Sequence, residues 1–152
     1  MTNPRIAYRE TAARGATAVR LVVLLYEQVI QDLRQAAQAI EHNNIELRTN
    51  LINHALDVIC LLQGTLNMEG GGQVARNLTR FYETLRGNLW EAQLHASKET
   101  LLWQVTDLLT LREAWAEVDR AESAGSIPKL AALTTDAAGT GSSEPRSSKW
   151  EG

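Results

Sequence analysis

The segment Leu66-Asn67-Met68-Glu69-Gly70-Gly71-Gly72-Gln73-Val74-Ala75-Arg76-Asn77-Leu78 decides how this chain folds. Three consecutive glycines stand between two long stretches with helical apolar spacing. Glycine adopts the left-handed backbone without a Cβ penalty, so it ends helices and builds the turns between them. The segment reads as a helix end, a tight turn and a helix start, the middle of a helical hairpin.

The stretch after the glycines reaches about Ala96, with a stripe of Val74, Leu78, Phe81, Leu85, Leu89 and Ala92. The stretch before them runs from about Ile45 to Asn67. Its Ile52, Ala55, Ile59, Leu62 and Leu66 step 3, 4, 3, 4, with Leu51, Val58 and Leu61 beside them. Such spacing places apolar side chains on one face of a helix. A polar turn at His42-Asn43-Asn44 separates this helix from an earlier one, Ala18 to about His42. There Val22, Tyr26, Val29, Leu33, Ala36 and Ile40 repeat the same pattern, and the Thr17 hydroxyl can cap the helix start. A fourth helix begins at Ser97, a second capping hydroxyl, with Glu99 in the first turn. Leu101, Val105, Leu108 and Trp115 line it, helped by Leu102, Leu109 and Val118, and it frays near Arg120.

No proline lies between residues 5 and 127. An interior proline would cost a helix roughly 3 kcal/mol, so long helices are allowed throughout. Short connections make successive helices antiparallel neighbours. The expected fold is all-α, an antiparallel up-down four-helix bundle over residues 17–122. An N-terminal arm, residues 1–16, precedes it. A disordered tail, residues 123–152, follows, rich in Gly, Ser, Thr, Ala and Pro, with at most a turn of helix from Ile127 to Leu133.

Composition excludes several classes of function. The net charge is −3, with acids and bases interspersed, and the basic residues Arg5, Arg9, Arg14 and Arg20 make no sustained footprint for nucleic acid. The single cysteine, Cys60, cannot form an internal disulfide, and its apolar surroundings in sequence lead us to expect a buried thiol. No charged start followed by an apolar run marks a secretory signal, and no 18 apolar residues run together. No membrane insertion is expected, and the expected location is the cytoplasm.

Catalytic patterns are missing as well. The histidines are His42, His54 and His95, and no Glu-x-x-His pair of the di-iron bundles occurs. Glu91 and His95, four apart, read as a solvated helix pair; His54 has Asp57 three residues on but no Lys-Gly context for phosphotransfer. The glycine triplet lacks the Lys-Ser/Thr ending of a phosphate loop. Neither enzyme activity, a cofactor nor a metal is expected.

Apolar content at the start of the first helix exceeds what one seam needs. Leu21-Val22-Val23-Leu24-Leu25-Tyr26 is apolar all round for nearly two turns, and a helix of that kind must be covered on every side. The arm just upstream carries Ile6 and Tyr8. One reading assigns all of this to the core. The other is a groove for a partner's amphipathic helix, with the arm as its removable cover.

Four motifs in order resemble the flagellin export chaperones, the FliS family. Tyr8 falls where that family has an N-terminal tyrosine, and Leu24-Leu25-Tyr26 is similar to its Leu/Met-Leu-Tyr motif. The glycine turn followed by Val74-Ala75-Arg76-Asn77-Leu78 and Phe81-Tyr82 resembles its central motif, and Leu111-Arg112-Glu113-Ala114-Trp115 its closing one. Gly70 replaces the usual lysine, Glu27-Gln28 follows the Leu-Tyr pair where Asp-Gly or Asp-Lys is common, and the usual helix-opening proline is absent.

The resemblance covers roughly residues 4 to 120 and implies binding of the disordered C-terminal segment of newly made flagellin. It implies further that polymerisation is blocked and that flagellin is delivered to the type III export apparatus. Expected contacts are Ile6, Tyr8, Leu21, Leu24, Leu25 and Leu85, with Asn77 as a polar contact; Leu85 also fits a core position and Asn77 a solvated one. The export gate and a regulator of flagellin synthesis are further candidate partners, and the chain is expected to be a monomer or weak dimer. The alternative is a structural or regulatory bundle that uses its spare apolar surface to homodimerise.

Overall fold

A computed structural model describes residues 17–66 and 69–123. They form four helices: α1, Ala18–Glu41; α2, Ile45–Gly64; α3, Gly72–His95; and α4, Lys98–Ser123. The arm, with Ile6 and Tyr8, lies outside the described residues, as does the tail from residue 124.

The capping chemistry sets the helix starts. Thr17 Oγ1 accepts the Arg20 amide at 3.0 Å, Asn44 Oδ1 accepts Leu47 N at 3.1 Å, and Ser97 Oγ accepts Thr100 N at 3.2 Å. The α1–α2 turn uses a left-handed Asn43 and the α3–α4 turn a left-handed Ala96, with φ of 55° and 50°. Gly72 opens α3 with φ of 57°, a conformation that glycine alone adopts without strain. Helix α2 stops at Gly64, about a turn before the expected Asn67, with Thr65 as its C-cap. Helix α4 runs three residues past Arg120.

Polar contacts fix the antiparallel register. Arg20 Nη1 lies 3.6 Å from Asp119 Oδ2, Arg112 donates to Glu27 Oε2 at 2.8 and 3.1 Å, and Lys98 Nζ lies 2.6 Å from Glu41. These tie α1 to α4 from end to end. On the α2–α3 side, Arg48 and Thr49 both bond Gln93, and Arg86 donates to Gln63 at 3.0 Å. The succession is up-down-up-down.

Helix α1 lies closest to its neighbours, α2 and α4, while α3 stands farther off from α2 and α4. That explains the wide apolar arc of α1. Leu21 and Leu25 continue the stripe of Asp32, which faces α2; Val23 and Ala37 lie seven residues on either side of Ile30, which faces the α4 groove. All five apolar side chains are buried. The expected seams otherwise form the core, with two shifts: Tyr82 is buried where Phe81 is half-buried, and Leu102 and Leu109 are exposed rather than helping to line α4. Cys60 is exposed, contrary to the expectation of a buried thiol. Its neighbour Ile59 takes the core position and turns Cys60 outward.

Candidate functional site

Two polar clusters inside the bundle hold its helices together. Tyr26 and Tyr82 meet hydroxyl to hydroxyl at 2.7 Å, with rings edge to face and centroids 6.3 Å apart. Burial pushes the Tyr82 phenol up to about 12. Burial also drives Tyr26 well above its ordinary value; Tyr82 adds to the rise and the nearby Trp115 indole offsets part of it. Trp115 Nε1 is itself sealed from solvent and falls short of a full hydrogen bond. The second cluster joins α1 to α2: His54 Nδ1 lies 2.6 Å from Asp32 Oδ2, and Gln28 donates to Asp32 Oδ1 at 3.0 Å. Burial raises the Asp32 carboxyl above its usual range, with His54 and then Gln28 opposing the shift. Asp32 was invisible as a partner in sequence because it comes from another helix; Asp57, the carboxylate nearest His54 along the chain, is exposed. Glu91 and His95 pair at 3.3 Å on the surface, as their spacing indicates.

Among the described residues no group of three or more His, Cys, Asp or Glu side chains is placed to hold a metal. No helix among them is long and apolar enough to cross a membrane. A shallow groove of about 390 Å³ between α1 and α4, lined by Ile30, Arg34, Leu109 and Arg112 among others, is open to solvent and closed at one side by the Arg112–Glu27 pair.

The apolar surface is elsewhere. Of eight large hydrophobic side chains exposed among the described residues, six lie at one end of the bundle: Ile45, Leu47, Trp90, Leu94, Leu102 and Trp103. That end holds the α1–α2 and α3–α4 turns. Trp90 is 57% exposed, Leu94 76% and Trp103 68%. Ile45 precedes Thr49 by one turn, on the edge of α2 that faces Gln93; Trp90 and Leu94, four residues apart, share one face of α3 beside Gln93. Ile45, Trp90 and Leu94 thus form an exposed apolar group on the two helices that this hydrogen bond joins, toward one end of the bundle. An exposed group of this kind marks an interaction surface more often than a single exposed Leu does.

The residues singled out from sequence fall differently. Leu21, Leu25 and Leu85 are buried, so in this conformation their side chains pack the core and line no open groove. The apolar excess at the start of α1 is absorbed by α2 and α4, except for Leu24, which is 38% exposed. Asn77 is half-buried on α3, and its Oδ1 accepts from Gln73 at 2.8 Å. Ile6 and Tyr8 lie outside the described residues. Sequence reasoning passed over Trp90, Leu94 and Trp103, although a tryptophan off the core stripe is itself a pointer to a contact surface.

The architecture and this surface define a class: an all-α bundle with buried polar links between its helices and exposed apolar side chains gathered at one end. The model of the flagellar protein FliS family matches residues 1–122, and the chain belongs to that family. It is 34% identical over 107 residues to the flagellar secretion chaperone FliSB of Pseudomonas aeruginosa, covering 70% of this chain and 84% of that protein. It is 28% identical over 105 residues to the flagellar secretion chaperone FliS of Vibrio cholerae, covering 68% and 76%. The Bacillus subtilis protein of the same name is 27% identical over 121 residues, covering 79% and 89%. These relatives are named as secretion chaperones, not as enzymes.

Proposed function

We propose that this chain carries flagellin: it binds the disordered C-terminal segment of newly made flagellin in the cytoplasm, keeps it from polymerising and hands it to the flagellar export apparatus. The observation that supports this reading is the concentration of exposed apolar side chains at one end of a bundle of the flagellar secretion chaperone family. A disordered client with apolar positions at helical spacing folds as it docks, and buried apolar area offsets the ordering cost. The exposed group of Ile45, Trp90 and Leu94 is where such a helix meets the carrier, and Leu102 and Trp103 add exposed apolar surface on α4 at the same end. Leu24 and Asn77 are accessible enough to add contacts.

Isothermal titration of the full chain with a flagellin C-terminal peptide tests the reading. Saturable binding that is lost when Trp90 is changed to Ala, with the fold intact, supports it. An absence of binding by the unaltered chain overturns it.

A further inference from the structure

The outer face of α3 carries a second seam. Arg80, Glu83, Gly87, Trp90 and Leu94 follow at spacings of 3, 4, 3 and 4, the repeat by which one helix lies along another. All five are exposed, and they point away from the core seam of Leu78, Tyr82, Leu85, Leu89 and Ala92. The middle member is the informative one. Gly87 sits deep within a 24-residue helix, in ordinary helical backbone, and a Cβ built on it meets no atom within 4 Å. Neither a turn, a positive φ nor a packed neighbour within this chain calls for glycine, and glycine inside a helix weakens it relative to alanine. The remaining use of a missing side chain is to let a second backbone come close.

Building on the carrier reading above, we propose that Gly87 is the point of closest approach of the bound flagellin helix. The client helix crosses α3 there, its apolar half lying on Trp90 and Leu94. Its other end lies near Arg80 and Arg76, two exposed guanidinium groups one turn apart. That end of the seam selects an acidic residue about three turns from the client's apolar anchor. A second copy of this chain fits less well. Parallel pairing through the seam would stack Arg80 on Arg80 and Glu83 on Glu83. Antiparallel pairing that seats Leu94 over Gly87 would bury only Gly87, Trp90 and Leu94 of each seam, well below what a stable interface needs.

The test compares the full-length chain with Gly87→Ala and Gly87→Leu, using thermal unfolding and calorimetry with a flagellin C-terminal peptide. Gly87→Ala is expected to raise Tm by about 3 °C. The same change is expected to weaken the peptide by about tenfold, and Gly87→Leu by more. An opposite movement of stability and affinity is what a folding role cannot produce. If both variants bind as tightly as the unaltered chain while Trp90→Ala does not bind, the close approach is wrong and the carrier reading stands. If the unaltered chain binds no peptide, both fall. A micromolar dimer of the unaltered chain that Gly87→Leu converts to monomer gives the seam to a second copy and overturns the proposal.

Discussion

Tyr26 and Tyr82 join hydroxyls at 2.7 Å across the diagonal of the bundle, linking the two helices, α1 and α3, whose backbones do not pack together. One phenol donates and the other accepts, and both side chains are buried. Tyr26→Phe leaves the Tyr82 hydroxyl buried and alone, and it should cost about 1–2 kcal/mol. Replacing both by Phe should cost less than the two single changes added together, because no orphan remains. Urea unfolding of the three variants measures this directly.

The same pair gives the bundle an alkaline limit. Burial holds the folded Tyr82 phenol at about 12, above the unfolded value of 10.0. A raised folded value means that the neutral form is favoured by folding. Its contribution is whole below about pH 10 and is lost as pH rises from there through 12, amounting to roughly 2–3 kcal/mol. Circular-dichroism melts between pH 9 and 12 should show falling stability, and the double Phe variant should flatten that fall.

Asp32 and His54 make a different kind of link. Removing the imidazole with His54→Ala leaves a buried carboxylate that keeps its hydrogen bond from Gln28 and loses the one to His54. At pH 7 the loss should be about 3 kcal/mol, the usual penalty for stranding one member of a buried pair. Burial already raises the Asp32 carboxyl, so its protonated form is favoured by folding and its charge is the costly state. Acidification through its folded pKa removes that charge, and the deficit of the variant should shrink as pH falls from 7 toward 4. Denaturant titrations at several pH values check the sign.

Leu85 lies in the core of α3 and Trp90 on its exposed face, and the carrier reading gives them separable roles. Leu85 is fully buried, so Leu85→Ala should cost about 2–4 kcal/mol in stability. Trp90→Ser at a position 57% exposed should change stability by no more than about 0.5 kcal/mol. Peptide affinity should show the reverse order: a drop of tenfold or more for Trp90→Ser, and little change for folded Leu85→Ala. Calorimetry at a temperature where both variants are folded distinguishes the two roles.

Most of the bundle was legible in its residues. The glycine triplet, the capping hydroxyls of Thr17 and Ser97 and the repeated 3–4 spacing are local features, and they placed four helices with shifts of about a turn. The excess on α1 packs inward in this conformation, and a one-dimensional pattern does not show that because it does not say how closely two neighbours press on a helix. Leu21, Val23 and Leu25 look surplus to one seam, yet α1 serves two interfaces at close range. Cys60 failed for the opposite reason: an apolar run on α2 carries one residue past the edge of the core. Asp32 and His54 are 22 residues apart, and nothing local announces the pair. Trp90, Leu94 and Trp103 were passed over because they break the core stripe, which is what a contact face has to do.

The account stands or falls on whether the chain takes up the flagellin C-terminus. Co-purification of the full chain with intact flagellin, beside flagellin truncated at its C-terminal segment, is the direct measurement. The account predicts a stoichiometric complex with intact flagellin and none with the truncated form. Equal retention of both forms, or of neither, would contradict it.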